Sequence, residues 1–327
     1  MARGVNTMHV SSLSTVVEDA FRADERFLWA LCYRMTGSAA DADDLVQETF
    51  VRTMERPPPR TDEPLRPWLV RVALNLGRDL LRRRKRRDYV GPWLPSPIET
   101  GAEESPPSHE ATIAGTLTTE GRYDLLESVS FAFLLALEAL TPQQRAVLLL
   151  TDVFDYTVRE TAAALGISAA NVKTTHHRAR RAMHAYDRER RPPTRDLQEK
   201  TREALGRFVT ALAGQDVGAV EALLAESVRA ESDGAGEFFA ARVPLIGPRR
   251  VALFHWKITQ RRLAGAYLQV RMINGLPALV GTLDDGKPGE PPRLVMRCEL
   301  DADGRIIRLY SVVATRKLTA LNFAPDA

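Results

Sequence analysis

Three sets of side chains in this sequence carry chemistry by their type and spacing. The string Asp-Ala-Asp-Asp-Leu-Val-Gln-Glu-Thr-Phe at 41–50 sets Asp41, Asp44, Gln47 and Glu48 at intervals of three and one to four. On a helix this gives one acidic, hydrogen-bonding face opposite an apolar one, and acids are also favoured near a helix N-terminus. The second set is basic. Between Arg66 and Arg87 nine Lys and Arg residues stand against a single acid, Asp79, and such a run neutralises phosphates. The third set lies on Ser168–Met183. There Ala169, Asn171, Lys173, Thr174, His177 and Arg178 fall on one side, and Val172 and Ala179 on the other. Amides, hydroxyls and cations on one helix face are the groups that read base edges and hold phosphates in a major groove.

Other chemistries find little support. Cys32 and Cys298 are far apart, each among apolar neighbours, with no CxxC pair and no nearby His. They are expected to be buried small hydrophobes rather than zinc ligands. His176, His177 and His184 have no partner ligands around them, so no metal is expected. Asp233-Gly234-Ala235-Gly236-Glu237 is glycine-rich, but no Lys-Ser/Thr follows, so it is not a phosphate-binding loop. The net charge of +3 says less than its layout. The basic block at 66–87 is followed by seven acids against Arg122 alone between Glu99 and Glu127, and then by a second basic block at 173–191. Two basic blocks around an acidic gap suggest a protein that touches a polyanion in two places.

The elements that position these groups are helical in the first half. Val17, Phe21, Phe27, Leu28, Leu31 and Met35 form an apolar face that Gly37 terminates. A second helix is predicted over about 40–55 and is ended by Pro57–Pro59. A third runs over about 67–86, with Pro67 in its first turn and Trp68, Leu69, Val72, Leu76 and Leu80 as its stripe. From 88 to about 121 Pro, Gly, Ser, Thr and Glu dominate without periodicity, which predicts an acidic, mobile linker in which Trp93 docks somewhere. Thr141-Pro142-Gln143-Gln144 and Thr157-Val158-Arg159-Glu160 are capping boxes, and Ser168 caps a further helix just after Gly166. A helix over 158–165, a three-residue turn and a longer helix outline a helix-turn-helix.

After the hinge Arg191-Pro192-Pro193-Thr194 the pattern changes. Two helices, about 196–213 and 216–226, precede period-two runs at 263–272, 278–283, 293–300 and 305–314. Leu294, Met296, Cys298 and Leu300 form one face, with Arg297 and Glu299 pointing away, and Asp301–Gly304 makes a hairpin turn. Helices on a curved antiparallel sheet would make an α+β domain. Length fits two or three domains. No apolar run approaches a membrane span, and the first 14 residues lack the blocks of a signal peptide. A cytosolic location, without membrane contact, is therefore expected.

The 41–50 string closely resembles the polymerase-binding helix of extracytoplasmic-function sigma factors, which docks on a basic coiled coil of the core enzyme's largest subunit. The resemblance implies polymerase-binding roles for Asp41, Asp44, Leu45, Gln47 and Glu48. Trp68–Arg84 is similar to the family's region that melts and reads the minus-ten promoter element. That similarity assigns single-strand DNA contact to Arg71, Asn75, Arg78, Asp79, Arg82, Arg83 and Arg84. The helix-turn-helix resembles the domain that grips the minus-thirty-five element, implying upstream contacts by Ser168, Asn171, Lys173, Thr174, His177, Arg178 and Arg181. Gly91-Pro92-Trp93-Leu94-Pro95 resembles the linker of a subgroup with a SnoaL-like C-terminal extension. There Asp233–Glu237 stands where the subgroup has Asp-Gly-Gly-Gly-Lys, departing at the third and fifth positions. Ala314–Leu318 stands where it has Asn-Pro-Asp-Lys-Leu, and Asn274-Gly275-Leu276-Pro277 resembles its turn before a strand. Trp93, Asp233, Gly234 and Gly236 are the regulatory interdomain candidates.

The expected molecule is a multidomain chain: a sigma region 2 bundle (14–88), an acidic Pro-rich linker (89–122), a region 4 helix-turn-helix domain (123–190) and a SnoaL-like α+β cone (196–320). Its expected partners are core RNA polymerase and promoter DNA, with no cofactor and a small ligand of the cone left unnamed. Two other classes compete. One is a helix-turn-helix regulator sensing a ligand in its C-terminal domain. The other is a SnoaL-like enzyme with a DNA-binding appendage, in which Asp233, His255 and Trp256 would line a pocket.

Overall fold

The computed structural model describes residues 4–60, 63–84, 89–101, 123–262, 265–283 and 288–323. They divide into two units. One holds the described residues of 4–84, 123–128 and 132–190, and the other holds 89–101, 129–131 and 191–323.

In the first unit α1 (Gly4–Thr36), α2 (Ala39–Glu55) and α3 (Arg66–Arg84) pack together. Gly37 takes the left-handed conformation (φ 66°) that ends α1, and Ser38 caps α2 by accepting the Asp41 N–H. Leu28, Leu31 and Met35 of α1 meet Leu45 and Val46 of α2 and Leu69, Leu74 and Leu76 of α3 in the core. The helices approach closely at Gly77, where a Cβ would lie 3.1 Å from Met35 Cγ.

The rest of this unit contains α4 (Phe131–Ala136, whose first residue belongs to the second unit), α5 (Pro142–Leu148), α6 (Val158–Leu165), α7 (Ala169–Ala182) and α8 (His184–Glu189). Both capping boxes form, at Thr141 and Thr157. Gly166 ends α6 at φ 65°, and Ser168 starts α7. The helix-turn-helix therefore has the predicted bounds. A π turn at Leu149–Val153, which sequence pattern did not reveal, extends α5. The two helical halves are packed as one unit. Buried Arg145 of α5 donates to the Met35 carbonyl (2.9 Å), the Leu137 carbonyl (2.7 Å) and Glu138 (2.9 Å). Arg84 of α3 donates to Thr36 O and Glu138.

The second unit contains α9 (Arg195–Ala213), α10 (Val217–Ala222), β1 (Leu224–Asp233), β2 (Leu245–Ile246), α11 (Pro248–Arg262), β3 (Tyr267–Ile273), β4 (Leu276–Thr282), β5 (Arg293–Leu300) and β6 (Ile306–Val312). The sheet order is β2-β1-β6-β5-β4-β3. Helices packed on one sheet make the expected α+β domain, but the sheet is mixed rather than antiparallel, because β1 runs parallel to β6. Sequence pattern missed β1, part of which reads as the end of a helix. Its alternation is broken by a register shift between Leu224 and Arg229. It also missed α11, whose inward stripe is only Val251, Ala252 and His255. The β3–β4 turn is a two-residue hairpin with positive φ at both Asn274 (51°) and Gly275 (82°), matching the strand twist. Arg297 does not reach solvent as its alternation suggests. It is 2% exposed, with its guanidinium 4.4 Å from the Phe131 ring centroid, because residues 129–131 cover that face of the sheet.

The linker predicted over 89–122 divides in two. Residues 89–101 are part of the second unit, and 102–122, with most of the acids, lie outside the described residues.

Candidate nucleic-acid interface and linker clasp

On α2, Asp44, Gln47 and Glu48 are exposed and Asp41 is half-buried, while Leu45 faces the core at 5% exposure. Glu48 holds Arg52 at 2.7 Å. Asp43, which shares this string, accepts a hydrogen bond from the Trp29 indole at 2.6 Å and so fastens α2 to α1.

On α3, Arg71, Asn75, Asp79, Arg82 and Arg83 are exposed, and Arg78 and Arg84 are half-buried. Asp79 orients Arg82 at 2.9 Å. Arg78 carries Nε and Nη1 buried without a hydrogen-bond partner among the described residues. Burial, reinforced by the charge of Arg82, lowers its pKa. Trp68 is half-buried, as a core role implies. The remaining basic residues, Lys85–Arg87, lie outside the described residues.

On α7 the polar residues Ser168, Asn171, Lys173, Thr174, His177, Arg178 and Arg181 are all exposed, and Val172 and Ala179 are buried. The helix is held by a contact that sequence did not signal. Asp152, on the π turn and 2% exposed, takes His176 Nε2 at 2.7 Å and Arg180 Nε and Nη2 at 3.0 and 2.9 Å. Both partners sit on the flank of α7, where they leave the outward face clear. The turn at Gly166, just before α7, lies against Arg71, whose Nη2 would be 3.3 Å from an added Cβ.

Burial opposes the charge on Asp152, but the hydrogen bonds and charges of His176 and Arg180 prevail and hold its carboxyl below the usual range. A depressed folded pKa stabilises above the unfolded value and is lost as pH falls through the folded one. Asp152→Asn is expected to cost about 2 kcal/mol at neutral pH, the value of charge-assisted hydrogen bonds. It should also flatten the acid limb of a stability–pH curve measured by thermal unfolding.

In the second unit the regulatory candidates converge. Asp233, fully buried at the end of β1, accepts from Tyr89 Oη (2.6 Å), the Leu94 amide (2.8 Å) and the Ala235 amide (3.2 Å). Lys317, the lysine of the 314–318 string, lies 3.8 Å from Asp233 and 3.9 Å from the Trp93 ring centroid, and donates to the Leu94 carbonyl. A Cβ on Gly236 (φ 77°) would approach Val90 to 3.2 Å, and one on Gly234 would meet Phe238 O and Ala240 Cβ at 3.0 Å. Both glycines are thus required by contact. The departures from the subgroup string are accommodated: Ala235 takes φ 49°, and Glu237 accepts from the Thr315 amide at 2.9 Å. Residues 98–100 are anchored separately, with the Ile98 amide donating to Asn274 Oδ1 at 3.0 Å.

The pocket triad considered from sequence does not assemble. His255 lines a cavity, while Asp233 is committed to the linker and Trp256 is not in the cavity lining. Burial drives the His255 pKa down to about 4, so the ring is neutral. Cys32 and Cys298 are buried, with thiols pushed up to about 12 by desolvation. Among the described residues no cluster of His, Cys, Asp or Glu is arranged to hold a metal, and no helix is long and apolar enough to cross a membrane.

A helical bundle with an acidic outward face and an arginine-rich helix, followed by a helix-turn-helix with a polar reading face, defines a DNA-binding transcription protein. The chain matches the family models Sigma-70 region 2 over residues 20–87 and Sigma-70, region 4 over residues 130–183. It is 31% identical over 309 residues to the ECF RNA polymerase sigma factor SigJ of Mycobacterium tuberculosis, covering 91% of this chain and 92% of that one. It is 35% identical over 226 residues to SigG of the same species, 62% of this chain and 58% of that one. The crystal structure of M. tuberculosis extracytoplasmic function sigma factor SigJ superposes with a TM-score of 0.66 at 26% identity, covering 93% of this chain and 99% of that chain. The chain therefore belongs to the extracytoplasmic-function RNA polymerase sigma factors, initiation factors of transcription.

Proposed function

We propose that this chain binds core RNA polymerase through the acidic face of α2 and opens and reads the minus-ten element with α3. It then reads the upstream element with α7, acting in the cytoplasm. The observation that carries this reading is the α7 face: every polar residue assigned to base and phosphate contact is exposed, while Asp152 pins the helix from behind. On α3 the exposed guanidinium groups of Arg71, Arg82 and Arg83 offer donors that a phosphate would complete. Substituting Arg178 and Arg181 by Ala is expected to weaken promoter binding by polymerase holoenzyme about tenfold and to flatten its salt dependence, since each removes a phosphate contact. Unchanged binding would argue against the assignment.

The packing of the first unit has a consequence for this role. Elements about 25 base pairs apart are separated by about 85 Å at ~3.4 Å per pair. The Gly166 turn and Arg71 are in contact, so α3 and the helix-turn-helix cannot occupy both elements in this arrangement. The arrangement is a closed form that parts when polymerase and promoter are engaged.

The C-terminal cone acts in cis by gripping the linker, not by turning over a substrate. The Asp233–Lys317 clasp fixes the chain that joins the two DNA-reading halves. Asp233→Ala leaves the Tyr89 hydroxyl and the Leu94 amide without their acceptor. At about 1.5–3 kcal/mol for a hydrogen bond to a charged group, hydrogen exchange at the Leu94 amide should accelerate at least tenfold. Unaltered exchange would remove the clasp from the account.

A further inference from the structure

The second unit holds a cavity of about 400 Å³ that the initiation role does not use. Phe208 and Leu212 of α9, Phe254 of α11, Leu279 of β4 and Leu294 of β5 stand in its wall. Its uncharged polar side chains are few: Ser232 of β1, Ser311 of β6, and His255 and Thr259 of α11. Buried His255 stands edge-on to Phe208 and Phe254 and places Nδ1 3.4 Å from the Val251 carbonyl. A carbonyl only accepts, so Nδ1 carries the proton and Nε2 is the acceptor of the neutral ring.

The charges of the lining are already accounted for. Arg262 is paired with Glu290 at 2.6 Å and donates to Pro291 O at 2.8 Å. Lys257 and Arg261 are exposed to water. A charged head taken into the apolar wall, away from these exposed cations, would lose its hydration without a counter-ion, at a cost of several kcal/mol. A cavity of ~150 Å³ lined by apolar residues takes up benzene, which sets the scale for the ligand here.

The back of this cavity is the clasp. Successive residues of a strand face opposite ways, so Ser232 lines the cavity and Asp233 grips the linker. Val313 also lines the cavity, and its amide donates to the Asp233 carbonyl at 2.9 Å, with the Ala314 amide at 3.2 Å. Ala240, another wall residue, lies where Gly234 leaves no room for a Cβ.

We propose that this cavity is an effector site for an uncharged lipophilic molecule of about 15–20 non-hydrogen atoms with one hydrogen-bond donor. Its occupancy is transmitted through β1 to the Asp233 clasp, a second step that rests on the reading of the clasp given above.

The test uses the full-length protein and N-phenyl-1-naphthylamine, a neutral dye of this size with a single N–H donor. A saturable, single-site rise in fluorescence is expected, displaced at least tenfold more effectively by dodecan-1-ol than by dodecanoate. Ser311→Phe, which places a ring in the cavity, should weaken it at least tenfold. The displacement ratio in the unaltered protein decides the matter if that variant does not fold. Absence of saturable binding, or equal displacement by the two competitors, overturns the site whatever the clasp does. Saturating dodecan-1-ol should then change hydrogen exchange at the Leu94 amide at least threefold. Binding without that change overturns the transmission alone. The clasp reading itself fails separately, on Asp233→Ala without any ligand.

Discussion

Reversing both outward acids of α2, Asp44→Lys together with Glu48→Lys, is expected to weaken binding to core polymerase about 100-fold, since like-charge contacts cost several kcal/mol and 1.4 kcal/mol is tenfold. Both side chains are exposed on a helix whose opposite face, with Leu45 and Val46, is in the core. The exposed Glu48–Arg52 pair contributes only about 0.3–0.5 kcal/mol, so thermal unfolding should hardly move. Asp43→Ala is the informative contrast. It removes the Trp29 hydrogen bond and should lower stability more than affinity. Titration of labelled protein with core enzyme, beside calorimetry, separates the two.

The largest effect on stability is expected at Arg145. This side chain is 3% exposed and donates to two buried carbonyls, Met35 O and Leu137 O, besides Glu138. Arg145→Met conserves much of the apolar volume but takes the donor from the Met35 carbonyl, at about 1–3 kcal/mol, while Leu137 O keeps the Leu140 amide at 3.0 Å. Adding ~1 kcal/mol for the lost hydrogen bond to Leu137 O, the cost should be about 2–4 kcal/mol. Because Met35 lies at the end of α1 and Arg145 on α5, the variant should also loosen the closed packing of the first unit. Calorimetry is expected to show a lower, broader transition. Glu138→Gln, which touches only the more exposed end of the network through Arg84 and Arg145, should cost less.

Much of this molecule was legible in its sequence because the relevant signals are local. Capping boxes, Gly37, Gly166 and Ser168 fix helix ends by chemistry within four residues, and those ends stand where the pattern puts them. The outward polar face of α7 follows from period alone. The runs expected at 278–283, 293–300 and 305–314 also overlap β4, β5 and β6. What escaped depends on long-range contact. Asp152 lies in a π turn with no sequence signature and finds His176 and Arg180 across the helix-turn-helix. Lys317 stands in the 314–318 string, but only the fold brings it over Trp93 and beside Asp233, far from it in sequence. Arg297 alternates as an outward residue, and only the cover supplied by 129–131 buries it. The parallel pairing of β1 with β6 is likewise invisible to a period-two pattern.

Run-off transcription with core polymerase and the full-length chain tests the central claim most directly, on templates selected from the source genome for binding by the reconstituted holoenzyme. The account predicts initiation at discrete promoter positions that requires the added chain, and that the Asp44→Lys, Glu48→Lys protein fails to support it at equal concentration. Operator-like binding of free protein to duplex DNA, with no polymerase-dependent start site and no effect of the acid reversals, would contradict it and favour a helix-turn-helix regulator instead.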